Sequence, residues 1–440
     1  MPPRRVLLLF MKEWDEAALA RLAPRYAYEF AGFDLQRPAG MLRLPGFDPF
    51  RLARALVRRH RGRGIAGVLS NHEGYGALTA ALLARELGLP GHDPAAVALA
   101  QHKYHCRAAL ARVLPEAVPP FELVPARPAP TYVPRMGYPC FVKPVKANFS
   151  ILARRVDDAT ALRAHVLRPW PERLLFRLLN GPYERACRQL PGLTPTARRF
   201  LAEGLLPGRQ INVDGYVHRG QPHILGVVDE VMYPGTQAFL RFDLPARLPA
   251  DVTRRAETLA AEAARALGLS QGLFNVELTW DAASDRLAII EVNPRMASQF
   301  ADLYRAVCGV DLHSLACALA CGDDPAELPR LAPSAGAGAS FVFRLFDGGG
   351  PDPAAAARMR ERIAAALPDA RVQLYFRPTW LRWLEYRWLG SHRYAVVNLT
   401  AADRECLCRD YERLCQATGW PAIWPANPEP VGAPHGRGAR

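Results

Sequence analysis

A mixed α/β and α+β protein is predicted from three features of the sequence. The first hundred residues alternate short apolar runs with helical stretches through short connections, the pattern of a parallel sheet covered by helices. Beyond residue 100 the strands include a hairpin and no longer alternate strictly with helices, which marks α+β units. The chain has 440 residues, room for about three domains at roughly 150 residues each, and it is 50% hydrophobic and 22% charged, the balance of a packed globular protein.

Within residues 1–100, Val6–Phe10, Tyr26–Phe30 and Gly64–Ser70 are predicted strands. Asp15–Leu22, Phe50–His60 and Thr79–Leu87 are predicted helices, the last ended by Gly88. The polar turn Asn71–Gly76 follows the third strand, at the strand end where open α/β sheets bind ligands. No GxGxxG accompanies it, so a dinucleotide site is not supported. Residues 101–325 hold predicted strands at Tyr138–Val145, Arg198–Tyr216 and His223–Asp229, a helix Asp251–Leu267 ended by Gly268, and the hairpin Leu273–Asn293. Residues 160–200 read as an Arg- and Leu-rich helical insertion. The small-residue linker Leu331–Ala339 leads to a third unit, residues 340–425. That unit has predicted strands Ser340–Phe346, Arg371–Phe376 and Arg393–Thr400 and helices Pro353–Leu367 and Asp403–Thr418. The segment Trp380–Leu389 carries apolar residues at helical spacing and is expected to pack into the core rather than form a lipid or carrier surface. Residues 427–440, rich in Gly, Pro and Arg, are expected to be a disordered tail.

No window approaches the roughly 18 apolar residues of a membrane span, and Val6–Phe10 is too short for a signal-peptide core, so a cytoplasmic protein is expected. The nine cysteines are odd in number and lack a CxxC pair, which suits reduced, mostly buried thiols. The net charge of +14 favours anionic partners: nucleotide, acidic substrate, carrier protein or membrane surface. Nucleic acid is disfavoured, because no basic block with interleaved aromatics and no recognition signature is present. Of 56 basic residues only four are lysines, Lys12, Lys103, Lys143 and Lys146. In so Arg-dominated a chain, a retained Lys marks a place where a compact ammonium is needed.

The strongest chemical signal is the hairpin. Leu273-Phe-Asn-Val-Glu277 and Ile289-Ile-Glu291-Val-Asn293 both alternate as strands. With a turn symmetric about Ser284, Glu277 faces Glu291 and Asn275 faces Asn293. Two carboxylates at cross-strand distance repel, and a divalent cation between them removes the conflict. Glu277, Glu291 and Asn293 offer only oxygen ligands, which suits Mg²⁺ held together with phosphates and water. Arg295 follows, placed for anionic oxygens. A second signal is Phe141-Val-Lys143-Pro-Val-Lys146-Ala-Asn-Phe-Ser150, a strand bearing one ammonium and then a turn whose Ser150 and backbone N–H groups suit a triphosphate. A third is Ala202-Glu203-Gly-Leu-Leu206-Pro-Gly208-Arg-Gln210, a hinge that presents backbone groups to a base edge.

Taken in order with Gln101-His-Lys103 ahead of a helix, these segments resemble the ATP-grasp superfamily over residues 1 to about 325, nearest to its biotin carboxylase, D-alanine–D-alanine ligase and L-amino acid ligase branches. The resemblance implies a two-lobed ATP-grasp domain over residues 101–325, preceded by a Rossmann-like pre-ATP-grasp domain over residues 1–100. By the same resemblance Lys103 and Lys143 bind ATP phosphates, with Lys146 and Ser150 in the covering loop. Glu203 and the backbone near Leu206 hold adenine. Glu277 and Glu291 bind two Mg²⁺ ions, with Mn²⁺ admitted as a substitute, and Asn293 completes one site. Arg295 stabilises the transferring phosphoryl group. Gln210 stands where relatives often carry a Glu on the ribose, and the short, glycine-poor loop Lys146–Ser150 is a second departure.

The implied activity is that of an ATP- and Mg²⁺-dependent ligase. It activates a carboxylate as an acyl phosphate for attack by an amine or thiol, releasing ADP and phosphate. The alternatives are a biotin-carboxylase-like enzyme activating bicarbonate and a catalytically silent ATP-binding subunit. Substrate-lining candidates are Asp229, Glu230, Tyr233, Arg241, Ser298 and Gln299, with Met232–Leu248 as a rim. The implied partners are ATP and small carboxylate and amine substrates; an anionic carrier protein and a homodimer are carried as further candidates.

Overall fold

The computed structural model describes residues 2–422 and 424, apart from 12, 23, 34–42, 44–46 and 148–150. Among these the strands form three sheets. β1 (Arg4–Leu9), β2 (Tyr26–Ala31) and β3 (Ile65–Leu69) make a parallel sheet in the order β2-β1-β3, as the strand–helix alternation predicts. Helix Pro49–His60 starts on the Asp48 carboxylate, which accepts the N–H groups of Phe50 and Arg51, and helix Tyr75–Leu87 stops on Gly88 at φ 68°. The loop after β3 therefore projects from the carboxyl edge of this sheet.

A second, antiparallel sheet is formed by β4 (Phe121–Leu123), β5 (Cys140–Pro144), β6 (Arg154–Val156) and β7 (Phe200–Glu203), in the order β4-β7-β5-β6. The predicted insertion is helices Ala159–Val166 and Trp170–Gln189. The second of these sends Tyr183, Ala186 and Cys187 into the core of the N-terminal unit. Between β7 and β8 (Arg209–His218) runs the hinge Gly204–Gly208. Gly208 has φ +99°, and a Cβ there would lie 2.3 Å from the Trp280 carbonyl oxygen, so only glycine fits.

The third sheet has eight strands in the order β12-β11-β8-β9-β10-β13-β15-β14. The remaining strands are β9 (Gln221–Met232), β10 (Phe239–Leu244), β11 (Gly272–Asp281), β12 (Arg286–Asn293), β13 (Ala337–Leu345), β14 (Arg371–Leu374) and β15 (His392–Ala401). The strands of the C-terminal α+β unit thus extend the central sheet, with β13 pairing along β10 and covering what would be an exposed edge. Helix Ala250–Ala266 lays an alanine stripe, Ala256, Ala260, Ala263 and Ala264, against Ile211, Val213, Val276, Leu278, Ile289 and Val292. That fixes which face of β8, β11 and β12 is apolar. Alternation along the strands leaves Gln210, Asn212, Asp214, Asn275 and Glu277 on the other face.

Helix Thr379–Leu389 forms where the apolar spacing predicts, but Trp380 and Trp383 are 51% and 59% exposed rather than packed in the core. The helix is held from its other side, by Glu385 on His392 at 2.7 Å and by the Tyr386 hydroxyl on the Gly349 carbonyl at 3.0 Å. All nine cysteines are unpaired. The tail 427–440 lies outside the described residues. No single described helix is long and apolar enough to cross a membrane.

Candidate active site

The hairpin pairs as the alternation predicts: Glu277 stands opposite Glu291, and Asn275 opposite Asn293. The route differs. The turn closes between Asp281 and Arg286, and a one-residue bulge at Ile290 shifts the phase before Glu291. Asn293 Nδ2 lies 3.3 Å from Glu277 Oε1 and 3.3 Å from Glu291 Oε1, and Gln210 Nε2 lies 3.4 Å from Glu277 Oε2. Below them Asn275 donates to Asp214 at 3.0 Å, and the Tyr304 hydroxyl donates to Asp214 at 2.9 Å. This network fixes the amide that supports Asn293.

Cations converge on this face from three elements. Lys103 opens helix Lys103–Val113 and pairs with Glu291 at 2.8 Å while donating to the Ala147 carbonyl at 3.1 Å. Lys143, on β5, pairs with Glu203 at 2.6 Å. Lys146 sits 4.6 Å above the Tyr183 ring. Arg295 pairs with Glu73 at 2.7 Å, and Glu73 belongs to the loop after β3. The polar turn singled out in the sequence therefore does reach the site, through Glu73. Glu73, Gln101, Lys103, Lys146, Glu291 and Asn293 line one small cleft.

The electrostatics are uneven. Burial, then the neighbouring Glu291 and Glu230 charges, push the Glu277 carboxyl well above its usual range. Glu291 is held down: burial opposes ionisation, but Lys103, with Lys143 and Lys146 behind it, overcomes that. Glu277 thus has amide partners while its neighbour holds the ammonium, and a cation between the two carboxylates would relieve it. Among the described residues no three His, Cys, Asp or Glu side chains gather to hold an ion by themselves. An ion here would share its coordination with phosphate and water oxygens, which fits Mg²⁺. Asn293 presents its amide nitrogen to the carboxylates; turned end for end, the amide offers Oδ1 at the same place.

Burial, with Lys103 and Arg295 adding to it against the pull of Glu73 and Glu291, brings the Lys146 ammonium down to about 8. A lysine whose value falls is neutral above it and charged below. If Lys146 meets phosphate, kcat/KM for ATP falls as pH rises through about 8, with a slope of one proton. Lys146→Arg stays charged and is expected to lose that alkaline limb; a wild-type profile flat from pH 7 to about 9 would remove Lys146 from the phosphate set.

Several expected roles change in place. Both Glu203 oxygens are engaged, one by Lys143 and the other by Arg107 at 2.5 Å, which leaves the backbone of the hinge as its open hydrogen-bonding surface. Among the described residues the Leu205 and Leu206 backbone groups have no hydrogen-bond partner. Asp229 is not in the site. It lies on the opposite face of β9, paired with Arg209 and the Arg247 N–H, and its neighbour Glu230 faces the site opposite Gln210. Arg241 is also on the far face, bound to Asp243 at 3.0 Å and 5.0 Å beneath the Trp424 ring. Tyr233 donates to the Val342 carbonyl and Gln299 to the Ser340 hydroxyl, which makes both supports of β13. Ser298 is buried with its hydroxyl unpartnered, three residues past Arg295. Ser150 lies outside the described residues. Sequence reasoning missed Arg107 and Glu73, although the Lys103-to-Arg107 spacing of one helical turn was available as a signal.

Residues 136–303 match the family described as the ATP-grasp domain. The chain is 32% identical to carnosine synthase 1 of Gallus gallus over 295 residues, 64% of this chain and 30% of that protein. It is 29% identical to the D-alanine–D-alanine ligase of Synechococcus sp. (strain RCC307) over 169 residues, 38% of this chain and 43% of that one. The matched segments span less than half of these relatives. The crystal structure of L-amino acid ligase from Bacillus licheniformis superposes with a TM-score of 0.66 at 16% identity, covering 94% of this chain and 97% of that chain. Residues 136–303 are thus similar in sequence to the ATP-grasp domain, and the chain as a whole shares the fold of that ligase structure.

Proposed function

We propose that this protein is an ATP-dependent carboxylate–amine ligase that forms ADP and phosphate. The observation that carries the reading is the facing pair Glu277 and Glu291, with Asn293 at 3.3 Å from each and Lys103, Lys143, Lys146 and Arg295 around them. Two of the relatives are, by name, ligases of amino acids, which supports an amine as the nucleophile.

A carboxylate is a poor electrophile, so its oxygen must first be phosphorylated. The substrate carboxylate oxygen attacks the γ-phosphorus, the bond to the ADP oxygen breaks, and an acyl phosphate forms. Lys103, Lys143 and Lys146 bind and orient the phosphate chain, and Arg295 holds the transferring group. Glu277, Glu291 and Asn293 would hold Mg²⁺, which supplies further neutralisation of phosphate charge when bound. The amine nitrogen then attacks the acyl carbon, loses a proton, and expels phosphate. Glu73 and the Tyr183-bearing helix close the cleft from the N-terminal side, which keeps water from the acyl phosphate.

On this reading the cations would all lie about the β- and γ-phosphates, where charge develops on γ-transfer, so ADP and phosphate are the expected products. Purified protein incubated with a panel of amino acids and other carboxylates should release ADP, and hydroxylamine should trap a hydroxamate. Stoichiometric AMP and pyrophosphate would overturn the mechanism. ADP release with bicarbonate and free biotin, but with no organic acid, would replace it with the bicarbonate reading.

A further inference from the structure

We propose that Arg107 is a positioning residue that sets the register of the metal-binding strand and ties it to the nucleotide hinge; this rests on the ligase reading above. Past the turn, β11 and β12 pair Trp280 with Leu287, Thr279 with Ala288 and Leu278 with Ile289. Carried on unchanged, that register would set Glu277 against Ile290. It would also turn Glu291 to the apolar face shared by Leu287 and Ile289. The extra residue at Ile290 prevents this, and Glu291 arrives opposite Glu277.

A bulge takes a backbone group out of the ladder, and a buried backbone group needs another partner. The Ile290 carbonyl accepts a hydrogen bond from Arg107 Nη2 at 2.7 Å. Arg107 is 2% exposed, and its Nε donates to Glu203 at 2.5 Å. The other Glu203 oxygen holds Lys143 at 2.6 Å. One turn earlier on the same helix, Lys103 holds Glu291 at 2.8 Å. A single helical turn therefore grips two successive residues of β12, and through Glu203 it also grips the end of β7 and the β5 lysine. The planar guanidinium spans two acceptors in different directions, which a lysine ammonium does not do at the same reach. Arg107 acts through Glu291 and Lys143.

The test uses the full chain with Arg107→Lys and Arg107→Met. Arg107→Lys keeps a cation for Glu203 and loses the Ile290 carbonyl. It is expected to stay folded and to bind ADP within about threefold of wild type without divalent ion. It should bind Mn²⁺ in the presence of ADP at least about tenfold more weakly by EPR titration, with kcat lowered by about 10²-fold. Amide hydrogen exchange over residues 288–292 should accelerate in the same variant. Arg107→Met is expected to weaken ADP binding as well, since Glu203 loses a counter-charge. The proposal is overturned if Arg107→Lys retains wild-type Mn²⁺ affinity and exchange, or if both variants simply fail to fold. Absence of ADP release by the wild-type protein with any acid would sink the ligase reading instead, and the Mn²⁺ and exchange measurements would still judge Arg107.

Discussion

Glu291→Gln is expected to abolish ATP turnover, lowering ADP release by about 10³-fold or more, while the chain stays folded. Glu291 is the one carboxylate of the facing pair held ionised, by Lys103 at 2.8 Å. The amide keeps the shape but offers one neutral oxygen, so a cation shared with phosphate loses its anionic ligand. Folding should survive for an electrostatic reason. Glu277 is pushed up by burial and then by Glu291. When that second charge is gone, Glu277 ionises more readily and supplies the counter-charge that Lys103 would otherwise lack. The melting temperature should move by no more than about 4 °C. ADP production by the purified Gln variant close to that of wild type would mean the hairpin is not the metal site.

Lys143→Arg is expected to lose about 10²-fold in kcat/KM for ATP although the charge is conserved. Lys143 is buried on β5, 2.6 Å from Glu203, and Arg107 already occupies the other oxygen of that carboxylate. A guanidinium is longer and planar, so it must displace Arg107 or lose the phosphate position. Like charges are near as well: Arg107 and Lys103 both act against the Lys143 ammonium after burial itself. ATP affinity measured by calorimetry, alongside steady-state turnover, checks this. Values within a few-fold of wild type would show that the lysine was retained for no geometric reason.

Much of the site was legible because it depends on local alternation. The residues Asn275, Glu277, Glu291 and Asn293 share one face, and the alternation of each strand marks that face, although their pairing is reached through the bulge at Ile290. Composition alone misplaces Asp229 and Arg241, because it carries no information about strand phase. Val227 packs under helix Ala250–Ala266, and Asp229, two residues on, points the same way. Glu230 was the residue on the site face. The tryptophans of Thr379–Leu389 failed for a related reason: helical spacing shows that one side is apolar but not whether a neighbour covers it.

By itself the sequence determined many of the elements, the parallel pairing of β1, β2 and β3, the hairpin, and the four motifs that carry lysines and carboxylates. Each of these rests on spacing within a few residues, which the backbone geometry of strands and helices translates directly. The run Arg198–Tyr216, expected as one strand, is two strands, Phe200–Glu203 and Arg209–His218, parted by the hinge. Only the tertiary structure decided that β13 joins β10, that Glu73 meets Arg295 across 222 positions of chain, and that Arg107 reaches the Ile290 carbonyl across 183. The pairing of a buried guanidinium with a bulge carbonyl is dictated by which unsatisfied groups are sealed from water together, and that is a property of packing. The phase break from Ile289 to Val292 shows where the two meet. The apolar positions Leu287, Ile289 and Val292 carry the bulge in their spacing, but the helix that stabilises it arrives from a distant segment.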